Sequence, residues 1–118
     1  MKNLEQIRAK NALNVEISHD AGDSKNIAKK VPTMIMENGI IGAAAFAKES
    51  NVKGYASVFE NGIIPHLESI NGLPGKNTKL EGFIEYLCNA NSSKLRQVTA
   101  EAIAYLSYLR RFASNRGE

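Results

Sequence analysis

In the C-terminal quarter of the chain, Leu95, Val98, Ala102, Leu106, Leu109 and Ala113 recur at steps of three and four. That spacing gathers side chains on one face of an α-helix. Tyr105 and Phe112 widen the stripe. At about 100° per residue, the far side holds Arg96, Ala100, Ser107 and Arg111, with Lys94 and Arg110 at its borders. One face of this helix is built to pack, and the other is free to meet an anion.

The same period runs through most of the chain. A helix is expected from about Leu4 to Ser18, with Asn3 as its cap. It carries two apolar stripes, Leu4, Ile7 and Val15 on one side and Ala9, Leu13 and Ile17 on another, which predicts packing on two sides. A second helical run starts near Ser24 and includes Lys25, Ile27, Ala28, Val31, Met34 and Ile35. Pro32 inside it predicts a kink or a helix start. Asn38-Gly39, Asn61-Gly62 and Asn71-Gly72 are hairpin-type dipeptides, but their flanks are Ala-rich or helix-periodic, so helices ended by glycine fit them better. The small residues from Gly39 to Lys48 would let a neighbouring helix approach closely. The echo of Glu37-Asn38-Gly39-Ile40-Ile41 in Glu60-Asn61-Gly62-Ile63-Ile64 stops after five positions and reads as coincidence rather than a repeat. Beyond the turn-rich Gly72 to Asn77, Thr78 and Glu81 have the spacing of a capping box ahead of Leu80, Phe83, Ile84 and Leu87. Ser24 and Ser92 give further capping signals. The expected fold is all-α, a compact bundle of five to six helices, with residues 1–118 as a single helical domain.

Composition narrows the function classes. With aromatic residues at 7% and no Trp, the chain has little with which to build a stacking platform for bases. Cys88 is the only cysteine, which leaves no disulfide framework and no cysteine-based metal site, and fits a reducing compartment. The longest apolar run, Gly39 to Ala47, is far short of the roughly 20 residues of a membrane span, and no secretory segment opens the sequence, so a cytoplasmic protein without a membrane partner is expected. The net charge of +3 is unevenly spread. Lys94, Arg96, Arg110, Arg111 and Arg116 dominate the C-terminal end, whereas Glu60, Glu68, Glu81 and Glu85 dominate the middle. Such asymmetry suits one side toward a polyanion and another toward a basic neighbour.

No enzymatic chemistry stands out. Gly72 to Thr78 resembles a phosphate loop only superficially, because Ile70 holds the first-glycine position and Asn77 the hydroxyl position. His19 and His66 have no ligand-spaced partner, so no metal site is expected. Cys88 is expected to be a buried structural thiol on an apolar helix rather than a nucleophile. Glu81 and Glu85, one turn apart, lie opposite the apolar Leu80, Phe83, Ile84 and Leu87, so they are expected on a solvated face or against a basic partner rather than in a carboxylate site. Asp20 and Asp23 lack the other ligands of a calcium loop. Catalytic residues and cofactors are therefore none. The basic residues remain. Lys25 and Lys29 are one turn apart with Lys30 adjacent, and Arg96 and Arg111 lie about 22 Å apart along a straight helix. Such a surface can meet the phosphates of a single strand at several points without reading bases, although a merely solvated helix face has the same pattern.

Two motifs favour the first of these. Lys30 to Ile41, KVPTMIMENGII, followed by Ala45-Phe46-Ala47, resembles the basic, apolar, Pro, Asn-Gly, Ala-Phe pattern of the small helical subunit of the type III-B CRISPR effector, the Cmr complex. Thr99 to Ile103 with Tyr105 to Ala113 is similar to that subunit's C-terminal signature, and Leu4-Glu5-Gln6 with Arg8-Ala9 matches its opening. Tyr108 stands where relatives often carry Trp. The resemblance spans nearly the whole chain and implies a non-enzymatic all-α subunit. Its partners would be the backbone and large subunits of the ribonucleoprotein, further copies of itself in a minor filament, and the guide and target RNA. In isolation it would be monomeric or weakly self-associating. The matched motifs nominate Lys29, Lys30, Arg110 and Arg111 as RNA-binding residues, and helical geometry adds Lys25, Lys94 and Arg96. Two alternatives stay open: a generic helical adaptor that binds protein through Ala45, Phe46 and the acidic middle, and the analogous small subunit of type III-A effectors, against which the Asn-Gly and Arg-Arg-Phe-Ala motifs speak.

Overall fold

A computed structural model describes residues 3–14, 24–70, 72–73 and 79–115, apart from the side chains of 24–26, 53 and 113–115. Six α-helices, α1 (Leu4–Asn14), α2 (Ser24–Glu49), α3 (Lys53–Ser57), α4 (Ile64–Ser69), α5 (Leu80–Asn89) and α6 (Ser92–Asn115), are joined by a π-helical turn, Val58–Ile63, between α3 and α4. There is no strand among the described residues. The all-α bundle read from the periodicity is the observed fold.

The core forms around α6. Val98, Ala102, Tyr105, Leu106 and Leu109 are buried, while Arg96, Ala100, Ser107 and Arg111 are exposed, so the helix is rotated as its stripe predicts. Ala113 lies among the side chains outside the description. Against α6 pack Ile27, Val31 and Ile35 of α2, Phe59 and Ile63 of the π turn, and Leu67 of α4, with Phe83 and Leu87 of α5 completing the same apolar cluster. Leu106→Ala removes buried methyl groups at the centre of this cluster and is expected to destabilise the fold by about 2 kcal/mol or more. Arg111→Ala should stay within about 0.5 kcal/mol, as exposed substitutions do. Denaturant unfolding of the two variants compares them directly, and equal losses would place α6 in the wrong rotation.

Several local expectations are corrected. The helix predicted to end at Ser18 is described to Asn14; Val15 and Ile17 lie outside the described residues. Asn3 and Gln6 cap it reciprocally, each backbone N–H reaching the other's side-chain oxygen at 2.9 Å. Among the described residues of this helix only Ala12 is buried and Leu13 is 57% exposed, so the two-sided packing expected from its stripes is not seen there. In α2 the break falls at Gly39 rather than at Pro32, because Gly39 has φ 81° and ψ 160°, a region open essentially to glycine alone. A Cβ there would meet nothing within 4 Å, so the backbone conformation, not crowding, demands glycine. Beyond it, Ala43, Ala44 and Ala47 are buried where neighbouring helices approach.

The second Asn-Gly pair ends no helix. It lies inside the π turn, in a helical path that continues from Lys53 to Ser69, and Gly62 packs closely on α6, where a Cβ would stand 3.0 Å from the Tyr105 hydroxyl. Pro65 accounts for the widening, since it has no N–H to give the Asn61 carbonyl and its ring would crowd that oxygen in an α-helix. The two Glu-Asn-Gly-Ile-Ile segments thus adopt different structures and are no structural repeat. At the third pair, the Gly72 N–H donates to the Leu67 carbonyl at 2.7 Å, a six-to-one bond closing the end of α4.

Helix capping also differs from the local signals. Thr78 lies outside the described residues, and Lys79, which precedes α5, makes no side-chain cap. Instead Glu60 in the π turn accepts the Leu80 N–H at 2.9 Å, so a distant carboxylate caps α5. Glu81 faces solvent beside Lys48, at 3.4 Å. At α6 the cap is Asn91, not Ser92: its Oδ1 accepts the Lys94 N–H at 2.8 Å. Ser24 opens α2, with its side chain outside the description.

Candidate functional site

Six of the seven nominated cations can be placed. Lys29 and Lys30 are exposed on α2, beside the buried Ile27, Ala28 and Val31 that seat the helix. Lys25 belongs to the first turn of α2, and its side chain lies outside the description. Arg96, Arg110 and Arg111 are exposed on the side of α6 away from the core. Lys94 is different. The helical turn puts it at the border opposite Arg110, and it is half-buried, lining a cleft of about 260 Å³ with Gln97 and Glu101. None of these six pairs with a carboxylate among the described residues, where the ion pairs are Arg8–Glu101 and Lys48–Glu81 and the further Glu101 contact is a hydrogen bond with His66. Their charge remains available to an outside anion.

Beneath this surface lies a polar network that the sequence did not reveal. Glu101 of α6 accepts two bonds from the Arg8 guanidinium of α1, Nε to Oε2 and Nη2 to Oε1, both at 2.7 Å. Its Oε2 also lies 2.8 Å from Nε2 of His66, an imidazole 1% exposed on α4. Asn11 of α1 donates its amide to His66 Nδ1 at 2.8 Å and to the Ser69 hydroxyl at 3.0 Å. An amide nitrogen can only donate, so Nδ1 is the acceptor and the ring proton sits on Nε2, aimed at Glu101. Tyr105 stacks on the imidazole, ring centres 4.6 Å apart. A further bond runs from the Tyr108 hydroxyl to Glu5 at 3.1 Å. Thus α1, poor in buried apolar surface, is held to α4 and α6 largely by polar groups. Arg8, Asn11, His66 and Glu101 stand far apart in the chain, and no local spacing joins them.

The network's charges follow from its geometry. Burial lowers the His66 pKa, and the charge of Arg8 adds to this, against the opposing pull of the bond to Glu101. The imidazole is neutral. Burial works to raise the Glu101 pKa, but the hydrogen bonds from Arg8 and His66 outweigh it and hold the carboxyl below its usual range. Because His66 has a lower pKa folded than unfolded, the unfolded chain binds more protons between the two values. Stability from this group is full above about pH 6.5 and lost as the pH falls through the folded value. Glu101 adds a second loss at lower pH. The melting temperature should therefore fall on acidification below about pH 6.5, and less so in His66→Gln; an unchanged slope in that variant would contradict the assignment.

The remaining candidates for chemistry do not converge. Cys88, expected to be buried, is exposed on α5, because Leu80, Phe83 and Leu87 take the buried side of that short helix. His66 is committed to Asn11 and Glu101. No group of three or more His, Cys, Asp or Glu is placed to hold a metal ion among the described residues, and no helix there is long and apolar enough to cross a membrane.

Comparison with known proteins decides the family. The family model of Cas_Cmr5, CRISPR-associated protein, matches residues 4–115. The chain belongs to the Cmr5 family. Cmr5 is a small subunit of the type III-B Cmr effector, so the family implies association with other Cmr subunits. The fold of this Cmr5 chain is also that of a solved relative, a CRISPR-associated Cmr5 family protein from Thermus thermophilus. That match has a TM-score of 0.75 at 20% identity and covers 99% of this chain and 100% of the other. No curated protein matches.

Proposed function

We propose that this Cmr5 family member is a non-catalytic structural subunit of the Cmr ribonucleoprotein, stacking with copies of itself as a minor filament and helping to hold target RNA against the guide. The observation that carries this reading is the set of exposed cations, Arg96, Arg110 and Arg111 on α6 with Lys29 and Lys30 on α2, unpaired with any described carboxylate. Lys25 and Lys94 extend the set. Unpaired surface cations meet phosphates by releasing counterions, a contact that needs no base specificity. Each copy offers few such contacts, so affinity comes from several copies acting together at high effective concentration. The chain works as one helical unit, in the cytoplasm.

A protein-facing side is supported by Phe46, 48% exposed and set edge-on to Tyr55 with ring centres 5.2 Å apart, next to the exposed Val52. An apolar edge of this kind fits a neighbouring subunit. Purification of the tagged protein from its native host, with mass spectrometry and RNA sequencing, tests the proposal. Backbone subunits and CRISPR-derived RNAs are expected to come with it; recovery of protein partners without RNA would favour a plain adaptor.

A further inference from the structure

The pentapeptide Glu-Asn-Gly-Ile-Ile occurs twice, at 37–41 and 60–64, so one local sequence stands in two different surroundings. Asn followed by Gly is the pair at which a side-chain amide is most easily lost, because glycine has no Cβ to shield its backbone nitrogen from the neighbouring amide carbon. Around Asn38 the way is open. Asn38 and Gly39 are both exposed, and the Asn38 amide has no hydrogen-bond partner among the described residues. A Cβ built on Gly39 would meet nothing within 4 Å, and the next turn places Gly42, rather than a bulkier residue, against Asn38. Asn38 is also the last helical residue before the break at Gly39, and helix ends open readily. Around Asn61 the way is closed. Its amide donates to the Ser57 hydroxyl at 3.0 Å, Gly62 is buried against the Tyr105 ring, and the helical path runs on through both residues.

We propose that Asn38 is a site of spontaneous deamidation and that the fold protects Asn61 from the same reaction. In this step the Gly39 backbone nitrogen gives its proton to water or hydroxide and bonds to Cγ of Asn38. The Cγ–Nδ2 bond breaks, and the nitrogen leaves as ammonia with a proton from solvent. The cyclic imide so formed takes up one water, opening at one carbonyl to aspartate or at the other to isoaspartate. One water is consumed and one ammonia released, and no oxidant or reductant is needed. The product carries a new carboxylate beside Glu37, at the C-terminal end of the helical half that holds Lys29 and Lys30, where a helix disfavours negative charge. Isoaspartate also lengthens the backbone by one carbon between Ile35 and Ile40, both 2% exposed, which seat the two halves of α2 in the core.

The test is to incubate the folded protein at mildly alkaline pH and follow its tryptic peptides by tandem mass spectrometry, against unincubated protein, for exchange of an amide NH2 for OH. Asn38 is expected to convert at least about tenfold faster than Asn61, since the hydrogen bond and packing at Asn61 need add only about 1.4 kcal/mol to the barrier for that ratio. In the chain unfolded by denaturant the two should react at similar rates, because their neighbours are identical. Gly42→Ala, which sets a methyl group 3.3 Å from the Asn38 Cβ, should slow conversion at Asn38 and leave Asn61 unchanged. The converted protein should separate as a more acidic species on ion exchange and melt at a lower temperature than the unconverted fraction. Equal rates at the two sites in the folded protein, or conversion of Asn38 only after unfolding, would overturn the assignment.

Discussion

Glu101→Ala is expected to cost about 1–3 kcal/mol of folding stability, the range for leaving a buried hydrogen-bond donor unsatisfied. The carboxylate accepts three hydrogen bonds, from Arg8 twice and from His66, at 2.7 to 2.8 Å. Its loss strands the two partners unequally. Arg8, whose side chain is 24% exposed, can turn its guanidinium toward water. His66 cannot: its Nε2–H is left without an acceptor inside the protein, and a buried unsatisfied donor is costly. Arg8→Ala should therefore be milder than Glu101→Ala. Glu101→Gln should lie between wild type and Glu101→Ala, because one amide oxygen still accepts. Limited proteolysis of Glu101→Ala should cut within α1 first, since this helix depends on the network for its attachment. A loss under about 1 kcal/mol would mean that water replaces the carboxylate and that the network is not a determinant of stability.

What could be read from the sequence divides by the range of the interaction. The rotation of α6 was legible because one periodic stripe, Val98 to Leu109, is long enough to fix which face is buried. The rotation of α5 was only partly legible. Leu80, Phe83, Ile84 and Leu87 mark its core side, of which Ile84 is only partly buried, and Cys88, expected inside on residue type alone, is turned outward. Local signals predict the cap at Asn3 but not its reciprocal partner Gln6, and give no sign of Glu60, which reaches α5 across 20 positions. The three Asn-Gly pairs look alike in sequence but have three structural outcomes, set by the free backbone at Gly39, the Tyr105 ring at Gly62 and the end of α4 at Gly72. The pairing of Arg8 with Glu101 had no local signature, because it depends on how α1 lies on α6. The basic positions were legible as exposed cations, while the assignment of Lys94 to a cleft needed the neighbouring α4.

The central claim, that the basic helix faces hold target RNA, stands or falls on one comparison. The assembled Cmr complex is reconstituted with the quadruple variant Lys29→Ala, Lys30→Ala, Arg110→Ala and Arg111→Ala, and its target RNA affinity is measured across a range of salt concentrations. All four residues are exposed and outside the core, so folding and assembly should survive. Each single-strand phosphate contact contributes about 0.7 to the slope of log affinity against log salt, so losing four should flatten it by up to about 3 per bound copy and weaken affinity at moderate salt roughly tenfold or more. A normally assembled variant complex with unchanged affinity and salt slope would make these residues a solvated face and contradict the account.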